Sequence, residues 1–205
     1  MKRKTTKKNN WTKYTKEKEP PSCSIPKVQQ YRANREQFLE KNIPPYVKKK
    51  GDIIYGARAL NKQLPPDLQR PTDDYDIWSK QPKDHCDKLE DELDKCIGCD
   101  MFTEEQLEVG KGKKVYRIRT NPTGKQEVDY SKLPTDFKYK VIGGVKYQDI
   151  KHQEKRLKEM SKDPKLAFRA HKTKRDLGLI EKAKKKEKKK NKLEESGFEV
   201  MNPFW

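Results

Sequence analysis

Two aspartates at alternate positions, Asp74 and Asp76, are the residues of this sequence best suited to chemistry. In an extended strand, residues i and i+2 point to the same face, so both carboxylates project together. Two carboxylates on one side of a strand end supply the oxygen ligands that a hard cation such as Mg²⁺ takes from a protein. The spacing therefore predicts a divalent-metal site where a strand begins.

A glycine turn lies a short distance upstream of these aspartates. A short apolar run, 53–55, ends at Gly56, and a helix-forming stretch follows until Pro65-Pro66 stops it. A turn that opens a helix leaves backbone N–H groups free, and these groups bind phosphate. The segments predict a strand over 52–55, a helix over 57–64 and a strand over 73–79, with a phosphate-binding turn near the acidic pair.

The order of these segments resembles the nucleotidyltransferase superfamily. A strand is followed by Gly-Ala-Arg-Ala-Leu (56–60) and by an Arg-x-Thr-x-Asp-x-Asp element (70–76). The resemblance is good over residues 51–79 and looser elsewhere, and it is closest to the minimal nucleotidyltransferases of toxin and abortive-infection systems. It implies an α+β (α/β) fold with a small mixed β-sheet and flanking helices. It also implies two Mg²⁺ ions on Asp74 and Asp76, which bridge a nucleoside triphosphate.

The resemblance implies roles for further residues. A third carboxylate in the family comes from a later strand, where Asp129 is the ligand or base expected here. The expected nucleotide-binding residues are Gly56, Arg58, Arg70, Lys172 and Lys174. Arg70 would orient the segment 70–74, called the acidic loop below, which carries Asp73 and Asp74. The two lysines belong to a basic helix similar to the last helix of the family.

Two of these assignments leave alternatives open. After the first glycine, the family has a second small residue, Gly or Ser, which lets the triphosphate approach the backbone; this sequence has Ala57 there. Arg58, which follows, either neutralises phosphate charge or fills the pocket. Asp129 either joins the metal site or forms a cross-strand ion pair with Arg117 or Arg119.

Composition limits how much of the chain forms a core. Of 205 residues, 31% are hydrophobic and 40% are charged, which predicts a compact centre of about 120 residues. We expect a basic flexible arm (1–22), an N-terminal helix and linker (23–50), a nucleotidyltransferase-like core (51–180), and a lysine-rich helix with an apolar C-terminal tail (181–205).

The net charge of +18 is unevenly distributed. Residues 1–50 carry 15 basic and 4 acidic side chains, whereas 51–110 carry 7 and 15, so an acidic centre has basic flanks. Such flanks favour a nucleic-acid partner, although solvated tails explain the lysines equally well. The apolar segment 196–205 either docks a protein partner or folds back on the core.

Other segments show familiar periodicities. A helix is expected from Ser24 to about Lys41, ended by Pro44-Pro45, and an amphipathic helix from about Asp84. Residues 114–119 and 126–130 alternate around a Pro/Gly turn, which predicts a β-hairpin. A strand is expected within 138–145, a helix from Gln148 to Met160 and another near Pro164.

The cysteines and apolar segments bear on environment. Four cysteines without a signal-peptide core indicate a reducing intracellular environment, in the cytoplasm or nucleus, with no disulfide framework. A zinc site built from His85, Cys86, Cys96 and Cys99 is a weaker alternative, because a second Cys-x-x-Cys pair is missing. No run of 18 apolar residues exists, so no membrane span is expected.

These sequence features support two functional hypotheses. The first is an Mg²⁺-dependent nucleotidyltransferase that moves a nucleoside monophosphate to a nucleic-acid or protein acceptor. The second is a nucleotidyltransferase-like core without activity, which serves as a structural or nucleic-acid-associated component of a large assembly such as a virion.

Overall fold

A computed structural model describes residues 22–109, 112–121 and 123–195, with side chains described as far as residue 192. Five α-helices and seven β-strands occur in this part of the chain. The helices are α1 (Ile25–Lys50), α2 (Gly56–Asn61), α3 (Pro82–Ile97), α4 (Ile150–Met160) and α5 (Ala170–Glu195). The strands are β1 (Ile53–Tyr55), β2 (Tyr75–Ser79), β3 (Phe102–Val109), β4 (Lys113–Thr120), β5 (Gln126–Lys132), β6 (Tyr139–Ile142) and β7 (Val145–Gln148).

All seven strands form one mixed sheet in the order β3-β4-β5-β2-β1-β7-β6. Strands β1 and β7 run parallel, as do β2 and β5, and the remaining neighbours are antiparallel. A mixed sheet with flanking helices is the expected α+β (α/β) architecture, and the prediction of the fold class is confirmed.

Strand register decides which side chains share a face of the sheet. Asp76 is opposite Tyr55 on one side and Asp129 on the other. Residues directly opposite each other project from the same face. The next residues along, such as Ile54 and Ile77, are fully buried in the main core with α1 and α3. The carboxylates therefore lie on the opposite face, where α2, α4 and α5 pack together through a second apolar cluster.

Helix α1 is longer than the sequence indicated. It was expected to end near Lys41 because of Pro44-Pro45, but it continues through both prolines to Lys50. Burial of Ile43, Tyr46 and Val47 against the core offsets the lost backbone hydrogen bonds. The helix ends at Gly51, whose φ of 71° is the left-handed conformation typical of a helix C-terminus.

The strands near the hairpin were only partly anticipated. The hairpin of β4 and β5 and the amphipathic α3 are confirmed, with Cys86, Leu89 and Leu93 buried. Strand β3 was missed, because most of its side chains are exposed and it lacks a clear apolar alternation. The strand expected within 138–145 is present as β6, and the glycine pair 143–144 ends it and connects it to β7, which was not anticipated, in a second hairpin.

A buried ion pair ties α1 to β5. The side chain of Glu127 is fully buried, and Arg35 donates to it with a 3.0 Å bond from Nε. Burial raises the pKa of the Glu127 carboxyl, while Arg35 acts against that rise. The pair therefore fixes α1 against the sheet beside the acidic loop, whose Asp73 carbonyl also accepts from Arg35.

Replacing Arg35 with methionine is expected to lower the free energy of unfolding by about 3 kcal/mol at pH 8, because it leaves a buried carboxylate without a partner. The loss shrinks as the pH falls and Glu127 takes up a proton in the folded state. Urea unfolding at pH 8 and pH 5 measures both values. The double variant Arg35→Met/Glu127→Gln should recover most of the loss, and equal losses in both variants would contradict the role of the buried charge.

The cysteines differ from the prediction. Cys23 and Cys99 form a disulfide with Cα atoms 5.1 Å apart, so the expectation of no disulfide is wrong for this pair. The zinc alternative is also wrong, because Cys99 is in the disulfide while Cys86 is buried and Cys96 exposed. His85 Nδ1 instead contacts Asp52 at 2.7 Å and Ser79 at 2.8 Å.

Several expectations concern residues that are not described. The basic arm lies almost wholly outside the described residues, which begin at Ser22, and so does the C-terminal tail 196–205. Among the described residues, no helix is both long and apolar enough to cross a membrane.

Candidate active site

A cleft of about 640 Å³ opens where β1 ends and β2 begins, and α4 and α5 border it. Asp74 and Asp76 line one wall, as the alternation of the strand predicted. Gly56 and Arg70, two of the expected nucleotide-binding residues, line the same cleft. The loop before β2 and the turn after β1 therefore meet at one place, although 14 residues or more separate them in the chain.

Gly56 fits against Asp76 so closely that only glycine is compatible with the arrangement. Its φ is 69°, and a Cβ on this residue would lie 2.3 Å from the Oδ2 atom of Asp76. Its carbonyl accepts from Gln153 at 3.0 Å, and its N–H points at Gln148 Oε1 at 3.5 Å. The turn is thus fixed by hydrogen bonds with Gln153 of α4 and Gln148 of β7. The Asp76 carboxylate packs closely against Gly56.

The aspartates repel one another within the cleft. Burial, followed by the negative charges of Asp74 and Asp129, raises the pKa of Asp76 to about 7. Burial, followed by the charge of Asp129, also raises the pKa of Asp74. Gln126 donates a hydrogen bond to Asp74, whereas Asp76 receives no hydrogen bond or ion pair from the part of the chain that the structure describes. Negative charge is thus concentrated here without full compensation.

Asp129 lies beside this pair but has a partner. It is opposite Asp76 in the parallel pairing of β2 and β5. Arg117, opposite it on β4, donates two hydrogen bonds of 2.6 and 2.8 Å to its carboxylate. The cross-strand ion pair is therefore present, and Asp129 remains close enough to raise the pKa values of both cleft aspartates.

The opposite wall of the cleft is basic. It contains four positively charged side chains from α4, α5 and the 3₁₀ helix Pro164–Arg169 between them: Arg156, Arg169, Lys172 and Arg175. The Nε atom of Arg169 is buried and has no hydrogen-bond partner among the described residues. The Arg156 guanidinium lies 4.8 Å from the centre of the Trp78 ring. Of the two expected lysines, Lys172 lines the cleft, whereas Lys174 is exposed and lies outside it.

Arg70 connects the acidic loop to α5. Its guanidinium donates two hydrogen bonds, of 3.0 and 3.1 Å, to the carboxylate of the buried residue Asp176. Asn61 at the end of α2 also binds the backbone of Arg70 through its side-chain oxygen, at 3.2 Å. These contacts hold the start of the acidic loop against the helix that carries Lys172 and Arg175.

Arg58 points away from the cleft. Its guanidinium lies 3.9 Å from the centre of the Tyr75 ring and pairs with Glu36 through a 2.9 Å hydrogen bond. Its Nε atom donates to the Asp74 carbonyl at 3.1 Å. It lines a separate cavity of about 610 Å³ on the other side of the acidic loop. Arg58 therefore does not fill the space in front of Asp76.

Several residues of the cleft were not anticipated. Gln148, Gln153, Arg156 and Phe168 have no motif that marks them, because they come from segments of unremarkable helical or strand pattern. The usable signal was the density of basic residues at the start of the last helix. It identified Lys172 but could not distinguish the faces of that helix.

The donor set is suited to a hard divalent cation. Asp74 and Asp76 offer carboxylate oxygens on one side of a strand end, and their raised pKa values indicate that a positive charge would stabilise them. A second acidic group, formed by Glu90, Asp94 and Asp100, lies at the end of α3. There Asp94 accepts from the N–H groups of Met101 and Phe102, so its carboxylate has a structural role.

Comparison with known proteins bears on the fold. A crystal structure of the Megavirus polyadenylate synthase, a nucleotidyltransferase, is similar with a TM-score of 0.57 and 17% sequence identity. The match covers 86% of this chain but only 40% of the viral one. A crystal structure of JHP933 from Helicobacter pylori matches at 15% identity over 86% of this chain and all of the other, with a TM-score of only 0.35. No protein-family model and no curated protein matches the sequence.

The class of fold follows from the viral structure and the sheet order together. The chain has a nucleotidyltransferase-like fold, and its Asp74–Asp76 pair lies in a cleft of that fold. The identity is too low to assign a particular family.

Proposed function

We propose that the protein is an Mg²⁺-dependent nucleotidyltransferase that moves a nucleoside monophosphate from a nucleoside triphosphate to a nucleic-acid or protein acceptor. The observation that carries this proposal is a single cleft with incompletely compensated carboxylates on one wall and arginine and lysine side chains on the other. A nucleoside triphosphate with its metal ions needs both walls, because metal binds carboxylates while phosphate oxygens bind cations.

Each group of residues in the cleft has a separate role in this proposal. Asp74 and Asp76 would hold the metal, with Asp129 as the neighbouring carboxylate. The bound Mg²⁺ would supply charge neutralisation at the phosphates and lower the pKa of the attacking group. Arg156, Arg169, Lys172 and Arg175 would bind the triphosphate oxygens, and Gly56 would leave room for their approach. Arg70 and Arg58 would act indirectly, by fixing the two ends of the acidic loop.

The acceptor and the surroundings are part of the proposal. The basic flanks favour a nucleic-acid acceptor, and the apolar C-terminal segment would bind a protein partner. We propose an intracellular or virion location, with which the similarity to a viral protein is compatible.

Calorimetric titration with each nucleoside triphosphate, with and without Mg²⁺, tests the proposal. We expect Mg²⁺-dependent binding that falls at least 100-fold in Asp74→Asn/Asp76→Asn, because the metal ligands are lost. Asp67→Asn is the matched control, since this exposed carboxylate lies outside the cleft and pairs with Lys186. Equal binding by the double variant and the wild type would refute the metal site.

The Arg117–Asp129 ion pair favours a second candidate function. With its third carboxylate neutralised, the same fold would serve as an inactive structural or nucleic-acid-associated component. Absence of nucleotide binding by the folded wild type would support this candidate, and transfer of a labelled nucleotide to any acceptor would exclude it.

A further inference from the structure

An aromatic and basic surface lies at the edge of the sheet, away from the cleft. Strand β6 is the last strand on this side, and Tyr139 and Val141 are 45% and 54% exposed. The rings of Phe137 and Tyr139 stack with their centres 6.2 Å apart and their planes 18° apart. A cavity of about 510 Å³ opens beside the two rings. We call Phe137, Tyr139 and the lysines around them the edge surface.

The charge of the edge surface is positive. Between residues 136 and 151 the sequence has four lysines and two carboxylates. Lys138 and Lys151 line the cavity beside the rings, whereas Lys140 is opposite the core residue Tyr147 and projects from the other face of the sheet. Of the two acids, Asp149 caps the N-terminus of α4, because its carboxylate accepts hydrogen bonds from the N–H groups of Lys151 and His152 at 2.9 and 3.1 Å. Lys146 lies 5.3 Å from the centre of the Tyr139 ring, so cation and aromatic ring occupy the same place.

We propose that the edge surface binds single-stranded nucleic acid. Stacked aromatic rings provide a platform for bases, and interleaved lysines neutralise the phosphates of a flexible strand. A duplex already stacks its bases on one another and offers them no such platform. A protein strand added to β6 would gain main-chain hydrogen bonds, but it would not account for the parallel rings or the surplus of lysines.

The register of the sheet places this surface relative to the aspartates. Tyr139 on β6 is opposite Gln148 on β7. Tyr147, which precedes Gln148, is opposite Ile54 on β1, so Gln148 lies beside Tyr55. Since Tyr55 is opposite Asp76, Tyr139, Gln148, Tyr55 and Asp76 form one row on one face of the sheet. Three strand spacings separate Tyr139 from Asp76, about 14 Å at the usual interval. Tyr55 and Gln148, which lie between them in this row, line the cleft, so the row runs from the edge surface to the cleft.

Binding of fluorescently labelled oligo(dT) and oligo(U), followed by anisotropy in full-length protein, tests the proposal. No nucleotide or Mg²⁺ is added, so the outcome is separate from that of nucleotidyl transfer. We expect Phe137→Leu/Tyr139→Leu, which removes both rings but keeps apolar side chains, to weaken single-strand binding about tenfold. Binding of a hairpin duplex of equal charge should change little, because the basic tails contribute to both.

A lysine series completes the test. Lys138→Ala/Lys151→Ala, which removes two lysines that line the cavity beside the rings, should reduce the slope of log K against log salt concentration by about 1.4, the value for two phosphate contacts on a single strand. Lys113→Ala/Lys114→Ala is the matched control, because it removes two exposed lysines at the opposite side of the sheet. Unchanged single-strand binding by the folded leucine variant, or equal effects of the two lysine variants, would overturn the proposal.

Discussion

Replacing Gly56 with alanine is expected to lower the free energy of unfolding by about 4 kcal/mol and to abolish Mg²⁺-dependent nucleotide binding. The φ of 69° costs an L-residue about 1–2 kcal/mol. The new methyl group would also lie 2.3 Å from Asp76 Oδ2, and such overpacking costs about 1–3 kcal/mol. The carboxylate must turn away, which removes it from the position where it faces the cleft. Urea unfolding and calorimetric titration measure the two effects.

Gly124→Ala is the matched control for this variant. Gly124 has a φ of 64°, but no atom lies within 4 Å of the position that its Cβ would take. It should therefore show the backbone cost alone, about 1–2 kcal/mol, and leave nucleotide binding unchanged. Equal stability losses in the two variants would show that contact with Asp76 does not matter, and retained binding by Gly56→Ala would remove the turn from the site.

Local patterns were sufficient for the central part of the fold. The apolar run before Gly56, the proline stop at 65–66 and the alternation of Asp74 and Asp76 predict strand, helix and strand in the order that the structure shows. Parity places the carboxylate of Asp76 in the cleft, because side-chain direction in a strand depends only on parity. Asp74 lies in the loop just before β2 and lines the same cleft. These features are local, so one sequence is enough to read them.

Tertiary contacts decided what the sequence could not show. Pro44-Pro45 is a strong helix stop in isolation, yet burial of the neighbouring Ile43 and Val47 carries α1 through it. The disulfide joins cysteines 76 residues apart, a pairing that spacing alone does not identify. The direction of Arg58 follows from its contacts with Glu36 and Tyr75, which come from two different elements.

The charges of the cleft connect the fold with the proposed chemistry. The sheet places Asp76 next to Asp129, and the loop adds Asp74, so three acids meet on one face. Arg117 hydrogen-bonds only to Asp129, and the charges of Arg117 and Arg169 offset only part of the rise in the pKa of Asp76. Such a cluster costs stability in the free protein. A cation bound there would remove that cost, which links metal binding directly to the stability of the fold.

Replacing Asp76 with asparagine should therefore make the free protein more stable at pH 8 while abolishing nucleotidyl transfer. The pKa of Asp76 is raised from 3.8 to about 7, so folding opposes its ionisation, and stability falls as the pH rises from about 4 to about 7. One pKa unit corresponds to about 1.4 kcal/mol, which sets an upper limit of about 4 kcal/mol at pH 8. Asparagine has similar shape and no charge, so the variant gains stability up to this limit at pH 8 and almost nothing at pH 4.

Thermal unfolding with and without Mg²⁺ distinguishes this charge effect from a packing effect. Wild-type protein should gain stability from Mg²⁺ at pH 8 and much less at pH 5, where Asp76 holds a proton, and Asp76→Asn should gain little at either pH. Asp67→Asn, which removes an exposed carboxylate outside the cleft, should behave as the wild type. A fall in stability of Asp76→Asn at pH 8 would show that the carboxylate holds the fold together. The cluster would then be structural, because a metal site built from repelling aspartates must be less stable empty than neutralised.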